Sequence, residues 1–126
     1  MENVKVAPGH QTVMPYLILK HAEKFLDFTI TVFGAKVTNK TLREDHKTIM
    51  HAEITIGDST IMFAESTETY AVQNAGLFIY VADTDTTYKL AMQNKCISVF
   101  EPTDQPYGRT SGVIDTFGNT WWITSL

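Results

Sequence analysis

The chain contains a single cysteine, no long apolar run and no cluster of basic residues. Because Cys96 is the only cysteine among 126 residues, an intrachain disulfide or a metal site of paired cysteines is impossible. No apolar run approaches the roughly 20 residues that a transmembrane helix needs. Residues 1–7 lack the apolar core of a signal peptide. We therefore expect a cytoplasmic protein with no membrane association.

The charge balance argues against a nucleic-acid partner. Ten basic and 14 acidic residues give a formal net charge of −4, whereas nucleic-acid binding favours a basic face. With 44% hydrophobic and 19% charged residues, the composition is that of a globular protein. The length suits one domain, residues 1–126, with Cys96 as a small core side chain at the start of a strand.

Periodicity in the first half predicts a strand, a helix and another strand. Residues 12–19 form a β-rich run, and Pro15 within it indicates a strand start or an edge. Apolar residues then recur at helical spacing from Ala22 to Phe33, and Gly34 ends the helix as a C-cap. Residues 35–42 read as the next strand.

A β-hairpin is predicted next, from two β-rich runs at residues 49–56 and 59–65. Gly57 and Asp58 join them as a two-residue turn, in which the glycine tolerates a positive φ.

Counting outward from this turn gives the register of the hairpin. Glu53 stands opposite Met62, and His51 stands opposite Ala64. Because directly paired residues share a face of a sheet, His51, Glu53 and Met62 are expected to lie together.

The same order recurs in the second half. Residues 76–82 read as a strand, and residues 83–85 begin a helix with acids where the helix dipole favours them. Residues 97–100 form the next strand, which we expect Pro102 to break.

Residues 107–123 predict a final hairpin, with two short strands around an Asp-Thr-Phe-Gly-Asn turn at 115–119. Alternation along the second of these strands points Trp121 and Trp122 to opposite faces of a sheet.

Four segments in this order resemble the vicinal oxygen chelate superfamily, which includes glyoxalase I, bleomycin and fosfomycin resistance proteins and extradiol dioxygenases. They are TVMPYL at 12–17, DFTITVFGA at 27–35, HAEITIGD at 51–58 and the hairpin at 107–123. The chain looks closest to the PhnB-like branch. It departs from the family pattern at Thr29, where members have Tyr, and at Thr116, where Pro is common.

The resemblance implies an α+β fold of two βαβββ modules, residues 8–66 and 74–126. Such folds have curved mixed sheets around a cleft, with the helices on the convex side, and they commonly assemble as homodimers.

The resemblance also locates a family metal site that this chain does not reproduce. The ligand positions of metal-dependent members fall on Met14, Met62, Leu77 and Trp122, none of which offers the nitrogen or carboxylate donor that such cations prefer. We therefore expect no metal, no other cofactor and no glyoxalase activity. His51 and Glu53 alone could supply two ligands of a non-standard site.

A metal-independent small-molecule-binding protein is the function that we expect. The cleft would hold its ligand against methionine and aromatic side chains, with Arg109 available to an anionic group. The ligand-binding residues expected from this mapping are Met14, Tyr16, Met62, Leu77, Arg109 and Trp122. The alternative is that the methionines and tryptophans are simply core residues.

An enzyme of lyase, isomerase or dioxygenase type is the second possibility. His51 would then work as a general acid or base with Glu53 as its neighbour. Residues two apart on a strand stand about 6–7 Å from each other, so these side chains must converge to touch. The alternative is that His51 and Glu53 have no catalytic role and form a hydrogen-bonded structural pair within the sheet. His10 is expected to be a surface residue.

Overall fold

A computed structural model describes residues 3–126. The chain divides into two compact units, Met1–Gln73 and Asn74–Leu126, and each contains one sheet and one helix. The element order within each unit is strand, helix and three strands, so each unit is a βαβββ module, as the sequence predicted.

The first unit contains a four-stranded mixed sheet. Its elements are β1 (Tyr16–Leu19), α1 (Ala22–Phe33), β2 (Lys36–Leu42), β3 (Ile49–Ile56) and β4 (Ser59–Glu65). The strand order is β1-β4-β3-β2, with β1 parallel to β4 and the other neighbours antiparallel. The expected strand start is confirmed, since β1 begins directly after Pro15.

Hydrogen bonds define both ends of helix α1. Gly34 has φ 67°, and its amide donates to the Ile30 carbonyl, so this residue caps the helix as predicted. At the other end, the Glu65 carboxylate of β4 accepts from the amides of His21 and Ala22, at 3.0 and 2.9 Å. These bonds satisfy amides that a helix start leaves without partners, and they place a negative charge where the helix dipole favours it.

The hairpin of β3 and β4 has the predicted register. Ile56 pairs with Ser59 across the turn, where Gly57 has φ 59°, and Glu53 pairs with Met62. The ladder ends with Ala52 and Phe63, one pair short of His51 and Ala64.

One face of this sheet packs against α1 and forms the core of the unit. Phe63 of β4 meets Phe25 of α1 edge to face, with ring centroids 5.0 Å apart. The other large buried side chains of this core are Leu17, Leu19, Ile49 and Ile54. The opposite face carries the alternate residues of the same strands.

The second unit repeats this arrangement. Its elements are β5 (Gly76–Tyr80), α2 (Thr84–Gln93), β6 (Ile97–Gln105), β7 (Gly108–Ile114) and β8 (Thr120–Ser125). The strand order is β5-β8-β7-β6, with β5 parallel to β8. Helix α2 starts where the sequence predicted, because the Asp83 carboxylate caps it by accepting from the Asp85 amide.

Strand β6 contradicts the prediction that Pro102 ends it. The strand continues to Gln105, and its register against β7 shifts between Phe100 and Thr103. β6 is an edge strand of the sheet, and Pro102 falls within this irregular stretch. A proline is tolerated there because its missing N–H removes no ladder hydrogen bond.

The turn between β7 and β8 is built around Asp115. Its carboxylate accepts from the Phe117 and Asn119 amides, from the Asn119 side-chain amide and from the Trp121 indole, all within 3.0 Å. Trp121 is 1% exposed, whereas Trp122 is 38% exposed, so the tryptophan pair points to opposite faces as predicted.

Cys96 is buried directly before β6, as the sequence suggested. Burial, reinforced by the charge of Asp115, raises the pKa of its thiol to about 12. The thiol therefore stays protonated near neutral pH and is a poor nucleophile.

Within residues 3–126, no helix combines the length and the apolar character required to cross a bilayer.

Candidate functional site

The open face of the first unit's sheet brings three candidate residues into one row. Tyr16 of β1 pairs with Met62 of β4, and Met62 pairs with Glu53 of β3. Paired residues share a face, so these three side chains stand side by side across three strands, with His51 two residues from Glu53 on the same face.

Four side chains on this face form a continuous hydrogen-bonded network, which we term the Glu53 cluster. His51 Nε2 lies 2.8 Å from Glu53 Oε2, and His10 Nε2 lies 2.6 Å from Glu53 Oε1. The hydroxyl of Tyr16 lies 3.1 Å from His51 Nδ1. The side chains of His51 and Glu53 therefore converge and touch, which spacing along a strand alone did not establish.

His10 reaches the sheet because the segment before β1 is held against β4. Thr60 donates its hydroxyl proton to the Gly9 carbonyl at 2.6 Å. Gln11 donates to the Thr60 carbonyl at 2.8 Å and accepts from the Thr60 amide at 3.2 Å. The expectation that His10 is a surface residue is therefore wrong: its side chain is only 20% exposed and is bonded to Glu53.

Glu53 is the electrostatic centre of the cluster. Its side chain is 12% exposed, and the hydrogen bonds from His51 and then His10 hold the pKa of its carboxyl below the ordinary value of 4.5. An ionised carboxylate only accepts, so both Nε2 atoms carry the protons of these bonds.

This lowered pKa predicts a pH-dependent stability. A carboxyl whose pKa is depressed in the folded state stabilises that state above its unfolded pKa, and the contribution disappears as pH falls through the folded value. We expect urea unfolding between pH 7 and about pH 3 to show a shallower loss of stability in Glu53→Gln than in the wild type. Glu101→Gln, at an exposed glutamate, is the control and should follow the wild type. If stability fell equally with pH in all three proteins, the assignment of a lowered pKa to Glu53 would be contradicted.

A cavity of 590 Å³ opens on this face of the first unit. Aliphatic side chains of β1, β3 and β4 form part of its wall, and two tyrosines add aromatic surface. The lining residues are Tyr16, Ile18, Arg43, Met50, Ala64, Glu65, Thr67, Thr69 and Tyr70. Arg43 is held in place, since its guanidinium donates to the Glu65 carbonyl at 2.9 Å.

A second, more polar cavity of 440 Å³ lies on the other side of the Glu53 cluster. His10 and Glu53 line it, whereas Tyr16 lines the first cavity. The remaining lining residues are Ala7, Pro8, Gly9, Thr38, Asn39 and Thr55. The cluster thus connects the walls of two cavities.

The predicted ligand-binding residues fall into separate groups. Tyr16 lines the larger cavity and Met62 shares its face, while Met14 lies two residues before β1 and is partly buried. Leu77 and Trp122 belong to the second unit, in which Leu77 pairs with Trp121 and Phe78 pairs with Trp122.

The mapping that put Leu77 on the same face as Trp122 is therefore wrong by one residue. Phe78 is the neighbour of Trp122 on its face, and the Trp122 ring covers Gly76, where an added Cβ would approach it to 2.9 Å. A one-residue displacement moves a strand side chain to the opposite face, which explains the error.

Arg109 is engaged within the second unit. Its guanidinium bonds the Asp85 carboxylate through two nitrogens, at 2.5 and 3.1 Å, and the Asp104 carboxylate at 3.1 Å. A guanidinium already paired with two carboxylates is a poor receptor for a further anion, so we do not retain Arg109 as a ligand-binding residue.

Among residues 3–126, no group of three or more His, Cys, Asp or Glu side chains has the arrangement of a metal site. The side chains of His51 and Glu53 are hydrogen-bonded to each other and to the other members of the Glu53 cluster.

Comparison with known proteins identifies the family. A model described as the Glyoxalase/Bleomycin resistance protein/Dioxygenase superfamily matches residues 9–123. The chain belongs to this superfamily. The match covers most of both βαβββ units, in agreement with the resemblance seen in the sequence. No curated protein matches the chain.

Several solved structures share the superfamily fold. TioX from Micromonospora sp. ML1 is 21% identical, with a TM-score of 0.74 over 91% of this chain and 98% of that one. A PhnB protein from Bacillus cereus is 15% identical, with a TM-score of 0.71 over 92% and 100%. TnmS3, an antibiotic binding protein from Streptomyces sp. CB03234, is also 15% identical, with a TM-score of 0.70 over 92% and 98%. At these identities the likeness shows the fold alone.

Sequence reasoning missed much of the larger cavity. Ile18 and Ala64 alternate with core residues on β1 and β4, so extending the Tyr16–Met62 row along both strands would have found them. Met50 lies where the register between β2 and β3 shifts, and Tyr70 lies beyond β4. Neither position follows from a simple period of two.

Proposed function

We propose that this protein binds a small aromatic or amphipathic molecule in the 590 Å³ cavity of its first unit, without a metal ion. The observation that carries the proposal is the cavity wall itself, in which Ile18, Met50 and Ala64 supply apolar surface beside Tyr16 and Tyr70. Cavities of about 300–1,000 Å³ with mostly apolar walls and a few polar groups are typical of ligand sites.

The comparisons support the chemical class of the ligand. TnmS3 has the same fold and is an antibiotic binding protein, so this architecture can serve binding of a small organic molecule. The thioether of Met50 and the tyrosine rings are suited to flat, polarizable compounds.

A charge placed in the cavity wall tests the proposal. Met50→Glu should weaken binding of the amphipathic dye anilinonaphthalene sulfonate at least about tenfold, because a carboxylate would face both apolar surface and the sulfonate. Ile30→Glu is the matched control, since Ile30 is a similarly exposed apolar residue on α1 outside the cavity. Fluorescence titration gives both dissociation constants.

Three results would contradict this function. The first is equal weakening by both variants, and the second is no saturable binding to the wild type. The third is one divalent metal per chain in untreated protein that disappears in His51→Ala, which would replace the metal-independent account with a metal-dependent one.

We further propose that the protein forms a homodimer. Strand β6 is an edge of the second unit's sheet and exposes Ile97 and Val99, while β5 exposes Phe78 on the same sheet. Exposed apolar side chains on an edge strand favour association with another chain.

Light scattering should therefore give twice the 14.2 kDa chain mass at micromolar concentration. Val99→Lys should shift the mass towards that of a single chain, because a lysine on an edge strand opposes pairing. A wild-type mass of one chain would refute the dimer.

The second candidate function is acid–base catalysis by His51 and Glu53. The specific observation in its favour is the 2.8 Å contact between the two side chains, which establishes the convergence that such a pair requires.

A further inference from the structure

The hydrogen bonds of the Glu53 cluster define which atoms carry protons. The Glu53 carboxylate can only accept, so His51 Nε2 donates to it at 2.8 Å. In a neutral imidazole the other nitrogen is then an acceptor, and His51 Nδ1 faces the Tyr16 hydroxyl at 3.1 Å. The Tyr16 hydroxyl therefore donates to His51, and the order hydroxyl, imidazole, carboxylate repeats the logic of a hydrolase triad.

The Glu53 cluster draws its members from two strands and from the segment before β1. Tyr16 is on β1, His51 and Glu53 are on β3, and His10 approaches Glu53 from the segment before β1. The tilted contact of the Tyr16 and His51 rings, with centroids 5.6 Å apart, fixes their mutual orientation. Sites on rigid strands hold reacting groups more closely than sites on loops.

Tyr16 is the member of the Glu53 cluster that lines the larger cavity. The residue is 47% exposed, so a molecule bound in that cavity can contact it. The two formally charged residues of the wall have other partners, since Arg43 donates to the Glu65 carbonyl and the Glu65 carboxylate accepts from the start of α1. Tyr16, backed by His51, is thus the lining residue placed to exchange a proton.

We propose that the cavity catalyses proton abstraction from a weakly acidic C–H group of an aromatic carbonyl compound, with Tyr16 as the catalytic residue. The substrate C–H bond breaks as its proton passes to the Tyr16 oxygen, while the hydroxyl proton of Tyr16 passes to His51 Nδ1. The electron pair stays on the substrate as an enolate, and His51 becomes an imidazolium beside the Glu53 carboxylate.

The return of the proton completes the reaction. Delivery by the reverse route to another atom of the enolate gives an isomer and restores all three side chains. The reaction consumes no oxidant, reductant or other co-reactant. This inference rests on the proposed ligand-binding function, because the substrate occupies the same cavity.

The test uses nitrobenzisoxazole, an aromatic probe that loses one C–H proton to a base as its N–O bond breaks to release a coloured phenolate. We expect saturable turnover by the wild type and a fall in kcat of at least about 100-fold in both Tyr16→Phe and His51→Gln, with KM little changed. Tyr107→Phe, at an exposed tyrosine of the second unit, is the matched control and should retain the wild-type rate.

Glu53 acts as a positioning residue, and NMR provides its separate readout. Nitrogen shifts of His51 should show a protonated Nε2 and an unprotonated Nδ1 in the wild type, and a mixture of tautomers in Glu53→Gln. A merely structural glutamate would leave the tautomer unchanged on substitution.

Calorimetry with nitrobenzotriazole, a non-reactive analogue, separates binding from chemistry. Binding to the wild type together with a wild-type rate in Tyr16→Phe would overturn the catalytic inference and leave the binding function standing. Absence of analogue binding would overturn both. Activity lost to a chelator and restored by zinc would also overturn the inference, because the metal would then be the catalytic group.

Discussion

Replacing Asp115 by alanine should lower the free energy of unfolding by about 3 kcal/mol or more. The carboxylate is 4% exposed and accepts four hydrogen bonds, two from backbone amides of its own turn and two from the side chains of Asn119 and Trp121. Its removal leaves all four donors without their acceptor, three of them buried, and each buried loss costs about 1–3 kcal/mol, although the costs are not additive.

Urea unfolding of Asp115→Ala measures this loss, and Asp104→Ala is the control. Asp104 is an exposed aspartate of the same unit whose carboxylate pairs with Arg109 at 3.1 Å. Exposed ion pairs contribute about 0–1 kcal/mol, so this variant should remain close to the wild type. Comparable losses in the two variants would show that the Asp115 turn does not have the stabilising role derived from its contacts.

Replacing Phe63 by alanine in the core of the first unit should lower the free energy of unfolding by a similar amount, about 3–5 kcal/mol. Phe63 is fully buried, pairs with Leu17 of β1 and Ala52 of β3, and meets the Phe25 ring of α1. Truncation removes apolar contact on all these sides and leaves a cavity that the close-packed neighbours can only partly fill.

Tyr107→Ala is the matched control for this substitution. Tyr107 is a half-exposed aromatic residue in the turn between β6 and β7, so its truncation should cost less than about 1 kcal/mol. The same denaturation measurement compares the two variants. If both lost equal stability, the assignment of the first unit's core would be incorrect.

The fold was predictable because the residues that cap its helices and form its turns act locally. Gly34 ends α1, Asp83 caps α2, and Gly57 with Asp58 fixes the register of β3 against β4. Each of these residues acts on neighbours within a few positions, so the sequence pattern contains the information. Pro102 misled the prediction because its effect depends on β6 being an edge strand, which is a property of the whole sheet.

The site was predictable only in part, because much of it depends on distant contacts. The shared face of His51, Glu53 and Met62 followed from the hairpin turn. The placement of His10 depends on a hydrogen bond across 43 residues, and no periodicity of its own segment indicates it.

Leu77 illustrates a different limit of the sequence. Carrying family positions onto an unaligned strand has an uncertainty of one residue, and one residue decides which face a side chain occupies. The pairing of Leu77 with Trp121 establishes which face of the sheet Leu77 occupies, and the sequence alone did not determine this.

The central claim, that a small aromatic molecule binds in the cavity of the first unit, is tested most directly by methyl NMR during titration with anilinonaphthalene sulfonate. We expect the methyl signals of Ile18, Met50 and Ala64, which line the cavity, to shift saturably with one ligand per chain. Val113 and Ile123, both fully buried in the second unit, should not move. Shifts confined to the second unit, or no saturable shift at the three lining residues, would contradict the claim.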